Sequence, residues 1–243
     1  MIASSNLIVA LLSGLLLFLC FPKFGSGILA WVALIPLFYA LRDAKPWEGF
    51  KTGFLAGLVA HIGILYWISN VVVQYGQLPV YMGIMAMLLL AAYLSLYTAC
   101  FAVGVVALRR RGGALFLSAP LLWTILEFAR SHLLTGFPWE NLAYSQYLYE
   151  NIIQIADMTG IYGISFAIVM VNAVLYNLWS LRFRKMHLLT EIAIAFAVIT
   201  VIYGYGHFRT AEIRESVQKK SPVEVMLVQG NIDQNIKWDD RYQ

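Results

Sequence analysis

Charged side chains are scarce in this sequence. Only 12% of its 243 residues are Asp, Glu, Lys or Arg, whereas 60% are hydrophobic, and the mean hydropathy is +0.72. A typical soluble domain carries about 25% charged residues. The composition therefore excludes a soluble globular domain of this length and indicates an integral membrane protein.

Cysteine is almost absent as well. Cys20 and Cys100 are the two cysteines, and each lies inside an apolar run. Their spacing favours neither a disulfide framework nor a metal site. We therefore interpret both as packing residues, and the sequence predicts neither a bound metal nor a cofactor.

Long apolar runs dominate the rest of the chain. Crossing about 30 Å of hydrocarbon takes roughly 20 helical residues. The second run is short and lies between glycine and proline residues, so the first two runs could form a hairpin in which one member crosses only partly. Residues 1–206 are thus predicted to form an all-α polytopic membrane bundle of about seven transmembrane helices. The predicted spans are 6–22, 27–41, 53–74, 80–108, 114–134, 160–181 and 187–206.

Most Lys and Arg residues fall on one side of these spans. With the N-terminus in the cytoplasm, only Lys23 and Arg130 lie in outer loops, and this asymmetry follows the positive-inside rule. It explains the net charge of +4 better than nucleic-acid binding does. An odd number of crossings would then place the chain after about Gly206 in the periplasm of a bacterial inner membrane. The inner basic residues are Arg42, Lys45, Lys51, Arg109, Arg110, Arg111, Arg182, Arg184 and Lys185.

Polar residues inside the spans are candidates for function, because a charge in hydrocarbon is costly and is usually paired or functional. Glu127 and Arg130 share one helical face at i,i+3 spacing, so they could neutralise each other or contact a lipid headgroup. Gly53 and Gly57 form a small-xxx-small pair, which predicts close helix packing. Other polar side chains could line a polar path or, more commonly, join helices by hydrogen bonds: His61, Asn70, Gln74, Asn172 and Asn177.

The longest outer loop, roughly residues 135–159, is crowded with aromatic and amide side chains. Trp and Tyr favour the headgroup level of a bilayer, so an aromatic belt is one interpretation of the loop. The other is a lipid-facing platform beside a reaction chamber, with Trp139 and Tyr144 lining its entry.

The chain after the last span has a different character. Residues 223–228 form a short apolar run followed by Gln-Gly-Asn, a pattern typical of a buried strand that leads into a turn. One strand cannot bury its own faces. Residues 207–243 are therefore predicted to be a periplasmic linker and the first strand of an α/β domain that continues beyond this sequence.

Separated motifs carry a resemblance to a known family. They are LLAAYLSLYT at 89–98, LTGFPW at 134–139, YSQ at 144–146, and LVQGNI at 227–232 followed by KWD at 237–239. In this order they closely resemble the apolipoprotein N-acyltransferase family along the length of the chain.

The resemblance implies a bacterial inner-membrane enzyme that transfers an acyl chain from a membrane phospholipid to the α-amino group of a diacylated lipoprotein. The catalytic Glu, Lys and Cys of the family belong to a nitrilase-like domain of α-β-β-α fold and are expected downstream of Gln243. We therefore expect no catalytic residue in this chain and no acyltransferase activity from it alone.

The resemblance also implies substrate-binding roles for Trp139, Trp238 and Arg130, of which Arg130 could meet a phosphate. We expect a monomer that does not bind nucleic acid. A second interpretation is a non-enzymatic scaffold or small-solute transporter built from the same helices, although no inverted repeat or pair of broken helices in the sequence supports it.

Overall fold

The computed structural model describes residues 4–22, 24–180 and 185–231. Within these ranges the chain forms helices, short 3-10 turns and loops, and no strand. The predicted all-α architecture is confirmed for this part of the chain. In chain order the α-helices are α1 Ser4–Leu19, α2 Ile35–Ala40, α3 Pro46–Gln74, α4 Val80–Arg110, α5 Leu115–His132, α6 Glu150–Ile153, α7 Ala156–Ser180 and α8 Lys185–Gln218.

Four helices among the described residues are long and apolar enough to cross a bilayer: α3, α4, α7 and α8. They contain 25 to 34 residues, and at about 1.5 Å per residue each exceeds a hydrocarbon core of about 30 Å. Helices α1 and α5 have 16 and 18 residues. Seven spans were predicted, whereas four helices in the described part of the chain have both the length and the apolar composition that a span requires.

The second predicted span, residues 27–41, is not one helix. It consists of a 3-10 turn, Gly27–Trp31, and the six-residue helix α2, which measures about 9 Å and cannot cross a bilayer. Pro36 lies in the first turn of α2, where its missing N–H costs no helical hydrogen bond. The prediction that residues 27–41 are apolar is right, but the prediction that they form one continuous helix is wrong.

Side chains from distant parts of the chain satisfy the backbone at this break. The Leu34 N–H donates to Asn172 Oδ1 at 2.8 Å, and Asn172 Nδ2 donates to the Ala30 carbonyl at 2.8 Å. The Ser13 hydroxyl donates to the Ala33 carbonyl at 2.6 Å. Because a buried unpaired backbone group is costly, these bonds make the broken segment tolerable inside the bundle.

Helices α3 and α4 make the most extensive helix–helix contact in the described chain. A Cβ atom added at Gly53 would lie 2.5 Å from the Cβ of Ala102, and one added at Gly57 would lie 2.9 Å from the Cβ of Thr98. The two backbones approach closely because both positions lack a side chain. The predicted role of the glycine pair is confirmed.

The other polar residues of the spans separate into two groups. Asn172 and Asn177 form hydrogen bonds between segments, and Asn177 Nδ2 on α7 donates to Glu191 Oε2 on α8 at 2.8 Å. Asn70 and Gln74 are exposed on the surface of α3. These residues therefore do not form one continuous polar path through the bundle.

The two cysteines differ in their surroundings. Cys20 is fully buried, and its thiol donates to the Leu16 carbonyl at a Sγ–O distance of 3.0 Å. Cys100 is exposed on α4. The interpretation as a packing residue is right for Cys20 and wrong for Cys100, because a residue inside an apolar helix can face outward as easily as inward.

The described end of the chain differs from the expected strand. Helix α8 continues to Gln218, past the predicted end of the last span, and residues 221–231 have no regular secondary structure. The apolar side chains of residues 223–228 are exposed, from 73% at Val225 to 91% at Leu227. A strand needs a neighbouring strand to pair its backbone groups, so the first strand of an α/β domain in residues 207–243 stays a prediction. Trp238 lies outside the described residues.

Candidate functional site: a charged cluster inside the bundle

Three ionisable side chains meet between α3, α5 and the outer loop. Glu140 Oε1 lies 3.5 Å from Arg130 Nη1 and 3.2 Å from His61 Nε2. The side chain of Glu140 is 2% exposed, and those of His61 and Arg130 are 7% exposed. The loop carboxylate thus reaches inward and joins two helices through one oxygen atom.

Two polar neighbours extend the cluster. Arg130 Nη2 donates to Asn141 Oδ1 at 2.7 Å. On the other side, His61 Nδ1 lies 3.2 Å from Ser95 Oγ. Hydrogen bonds to these neutral groups hold the guanidinium and the imidazole in fixed orientations beside Glu140.

Glu127 occupies a separate place in the same region. Its Oε1 accepts hydrogen bonds from the Leu142 N–H at 2.6 Å and from Trp123 Nε1 at 2.9 Å. The predicted pair with Arg130 is not the one that forms, because Arg130 turns to Glu140 and Asn141. The i,i+3 spacing allowed a pair, but loop residues supply the nearer partners for both side chains.

The turn that leads into this loop has a strained backbone. Leu134, Thr135 and Gly136 have φ values of 49°, 72° and 79°. Positive φ is rare outside glycine, above all for a β-branched residue such as Thr135, and each such residue costs about 1–3 kcal/mol. Burial and pairing of Glu140 stabilise the loop conformation that requires this turn.

Aromatic residues cover the outer side of the same loop. Trp139 stacks on Trp67 of α3 with a centroid distance of 5.5 Å and an interplanar angle of 12°, and the Phe137 ring lies 5.9 Å away. Trp139 is 64% exposed and Tyr144 is 37% exposed, whereas Gln146 is fully buried. The loop therefore presents its rings outward and its amides inward, a pattern compatible with both interpretations of its sequence.

The buried amides attach the loop to the broken segment. Gln146 Nε2 donates to the Gly27 carbonyl at 2.9 Å, and Trp31 Nε1 donates to Gln146 Oε1 at 3.1 Å. The outer loop is thus anchored at Glu140 and again at Gln146. Trp139 lies next to the first of these anchors.

A small cavity of about 40 Å³ lies against the cluster. Its charged wall contains His61, Glu127, Arg130 and Glu140, and most of the remaining wall is apolar. Glu140 Oε2 and Arg130 Nε have no hydrogen-bond partner among the described residues. The cavity therefore combines an apolar chamber with polar atoms that have unused bonding capacity.

The structure locates two of the three predicted substrate-binding residues. Arg130 is buried beside the cavity, and Trp139 is exposed above it on the loop. Glu140 was not predicted, because a Glu after Trp139 gives no sign that the loop folds inward. His61 was noted only as one of several polar residues, and no group of three or more His, Cys, Asp or Glu side chains in the described ranges could hold a metal ion.

Long apolar helices around an interior charged cluster define the class of protein: a polytopic helical domain of an integral membrane protein. The family profile of the apolipoprotein N-acyltransferase N-terminal domain matches residues 13–174. This chain therefore belongs to the apolipoprotein N-acyltransferase family.

Individual relatives agree with the profile. The chain is 42% identical over 239 residues to the apolipoprotein N-acyltransferase of Geobacter metallireducens, covering 97% of this chain and 45% of the relative. Identity to the protein of the same name is 31% over 235 residues in Pasteurella multocida and 32% over 237 residues in Haemophilus influenzae. These alignments cover 96% and 97% of this chain and 44% of each relative. The chain spans less than half the length of the curated relatives it matches.

Proposed function

We propose that this chain is the membrane domain of an enzyme that moves an acyl chain from a membrane phospholipid to the free α-amino group of a diacylated lipoprotein. The family profile over residues 13–174 carries the proposal. The family resemblance assigns the chemistry to a nitrilase-like domain downstream of Gln243. There a Cys thiolate forms a thioester, a Glu acts as general base and a Lys stabilises the oxyanion.

If the downstream domain carries out the chemistry, the described chain would bring lipid substrates to the reaction site. The exposed stack of Trp139 on Trp67 supports a role at the lipid interface, where amphipathic rings are favoured. Arg130 keeps its Nε–H available beside the cavity, which supports contact with a substrate oxygen. By resemblance alone, we propose that Trp238 contributes to the same lipid or lipopeptide site.

We also propose a bacterial inner-membrane location with seven crossings, of which the second is formed by the 3-10 turn and α2 together, since α2 alone is too short to cross. The basic residues support this orientation: Arg42 lies with Arg109 and Arg110 around one pocket at the ends of α2 and α4. Trp179, at the end of α7, shares a second pocket with Arg42. We place this basic end in the cytoplasm, which puts the end of α8 in the periplasm, and we propose that the domain acts as a monomer.

A cellular experiment tests the proposed function. A bacterial strain depleted of its own apolipoprotein N-acyltransferase would receive this chain alone or this chain joined in frame to the remaining part of the Geobacter metallireducens relative. We expect the joined protein to restore acylated lipoprotein N-termini, measured by mass spectrometry, and the chain alone to leave them free.

The intact Geobacter metallireducens protein is the positive control. Failure of a joined protein that is present in the membrane at the level of this control would contradict the proposal. Acylation by the chain alone would contradict the assignment of catalysis to downstream residues.

A further inference from the structure

Two neighbouring pockets lie where α2, α4 and α7 end. The first measures about 370 Å³, and its charged wall consists of three arginines and one carboxylate: Arg42, Arg109, Arg110 and Asp43. The second measures about 290 Å³ and also contains Arg42. Because Arg42 lines both pockets, they form one continuous basic surface at this end of the bundle.

Positive charge exceeds negative charge on this basic surface. Asp43 Oδ2 lies 2.9 Å from Arg42 Nε, so one carboxylate faces the three guanidinium groups of the first pocket. A guanidinium keeps its charge at any physiological pH, and the excess does not depend on a protonation state. The surface therefore favours an anion.

Buried donors without partners indicate the kind of anion. Arg109 Nη1 is buried without a hydrogen-bond partner among the described residues, and so is the Tyr176 hydroxyl. Tyr176 is 1% exposed and lines the second pocket, and the Arg109 guanidinium lies 5.5 Å from the centroid of its ring. Polar groups at this depth are usually paired. A phosphate, whose oxygens accept several charge-assisted hydrogen bonds at once, suits such a set of donors.

Aromatic rings place the same surface at the edge of the bilayer. Tyr39 and Trp179 line the second pocket with ring centroids 5.1 Å apart. The Arg42 guanidinium lies 4.6 Å from the centroid of the Tyr39 ring, and Trp179 is 61% exposed. Because Trp and Tyr favour the headgroup level, a phosphate beside Arg42 would lie at the depth of phospholipid phosphates. Its acyl chains could then run along the exposed face of Trp179.

We propose that this basic surface binds the phosphate group of an anionic phospholipid, with Arg42, Arg109 and the Tyr176 hydroxyl as donors. Basic pockets between helices at the cytoplasmic side are suited to anionic headgroups. Arg42 follows α2, Arg109 belongs to α4 and Tyr176 belongs to α7, so the bound lipid would join three helix ends. The surface shares no residue with the cavity beside the charged cluster, and its test does not require acyl transfer.

The competing account needs no specific ligand. Arg109 and Arg110 lie in the last turn of α4, where positive charge offsets the negative end of the helix dipole. Anionic lipids would then gather loosely around the basic end, and each arginine there would contribute equally. Arg111 distinguishes the two accounts, because it is exposed at the same helix end and lines neither pocket.

Native mass spectrometry of the purified 243-residue chain in detergent measures lipid binding directly. One arm compares phosphatidylglycerol with phosphatidylcholine of the same acyl chains. We expect phosphatidylglycerol to bind about tenfold more tightly, since each basic residue near a headgroup contributes on that scale. The other arm adds glycerol phosphate, which carries the phosphate without acyl chains, at the concentration of the lipid, and we expect phosphatidylglycerol to stay bound.

Variants locate the site. Arg109→Gln and Tyr176→Phe should each reduce the preference for phosphatidylglycerol several-fold, whereas Arg111→Gln, which removes the same charge from the same helix end, should leave it unchanged. Tyr176→Phe keeps the buried ring, so it tests the hydroxyl without disturbing the packing. Circular dichroism checks that each variant keeps the helix content of the unmodified chain.

Three results would overturn the proposal. The first is equal binding of phosphatidylglycerol and phosphatidylcholine. The second is an Arg111→Gln variant that lowers the preference as much as Arg109→Gln does, which is the outcome of the competing account. The third is displacement of the lipid by an equal concentration of glycerol phosphate, which would make the ligand a soluble phosphate.

Discussion

Replacement of Arg130 by Gln removes the only permanent cation of the interior cluster. The carboxylates of Glu127 and Glu140 would then remain in the same cavity wall without the guanidinium, while Asn141 would lose its 2.7 Å donor. Removing one partner of a buried ion pair typically costs about 3–5 kcal/mol, because the other charge stays buried. The 3.5 Å separation of Arg130 and Glu140 is long, so we expect about 3 kcal/mol, the lower end of that range.

The direction in which a second substitution changes the free energy of unfolding makes this prediction specific. Glu140→Gln in the Arg130→Gln background removes the carboxylate that lost its partner, so the double variant should be more stable than Arg130→Gln by about 1–2 kcal/mol. Two independent destabilising substitutions would instead add. A rescue therefore requires that the two charges interact in the folded protein.

Unfolding in mixed detergent micelles with increasing dodecyl sulfate, followed by circular dichroism, measures these free energies. Arg214→Gln is the matched control, because Arg214 and Glu150 are 3.6 Å apart and are 73% and 69% exposed. Such a surface pair contributes little, and we expect a change below about 1 kcal/mol. An Arg130→Gln variant as stable as this control, or a double variant less stable than the single one, would refute the reasoning.

Further predictions concern helix packing, the broken segment and the aromatic stack. Gly53→Ala should destabilise the protein by about 1–3 kcal/mol through overpacking. The control Gly204→Ala, with no atom within 4 Å of the added Cβ, should stabilise it by up to about 1 kcal/mol. Equal effects of the two substitutions in the same unfolding assay would contradict the close contact of α3 with α4. Asn172→Leu should cost about 1–3 kcal/mol for each backbone group left unpaired, and a neutral effect would show that the break does not depend on this amide. Trp67→Ala should increase hydroxyl-radical labelling of Trp139, measured by mass spectrometry, because the covering ring is lost; unchanged labelling would contradict the stack.

Hydropathy located the long helices well but misplaced several of their ends. The third span was predicted at residues 53–74, and α3 begins seven residues earlier, at Pro46. Pro favours a first helical turn, and the Glu48 carboxylate accepts a hydrogen bond from the Lys45 N–H at 2.8 Å. These local signals extend a helix past the edge of the hydrocarbon, where apolar composition no longer marks it.

The break in residues 27–41 was beyond local prediction for a different reason. Two of its backbone groups are satisfied by Asn172, which lies 138 positions after Leu34 in the chain. The apolar run itself is compatible with a continuous helix, and only the folded bundle brings the amide to the break. Asn172 was recognised as a group that could join helices, but its partner could not be identified.

The sequence identified individual residues of the site, but it did not predict which residues contact one another. Arg130 was selected because charges inside membrane spans are usually functional or paired. The pairing with Glu140 depends on the outer loop folding back into the bundle through a strained turn, which spacing along a helix does not reveal. Trp139 was selected through the family resemblance, and its stack on Trp67 emerged from the structure.

The mass of a diacylated lipopeptide tests the central claim most directly. The lipopeptide would be incubated with phosphatidylethanolamine and the purified protein that joins this chain to the rest of the Geobacter metallireducens relative. The account predicts that the product gains one acyl group on its α-amine with the joined protein and that the lipopeptide stays unchanged with this chain alone. A folded joined protein that leaves the mass unchanged, while the intact relative acylates the same lipopeptide, would contradict the account.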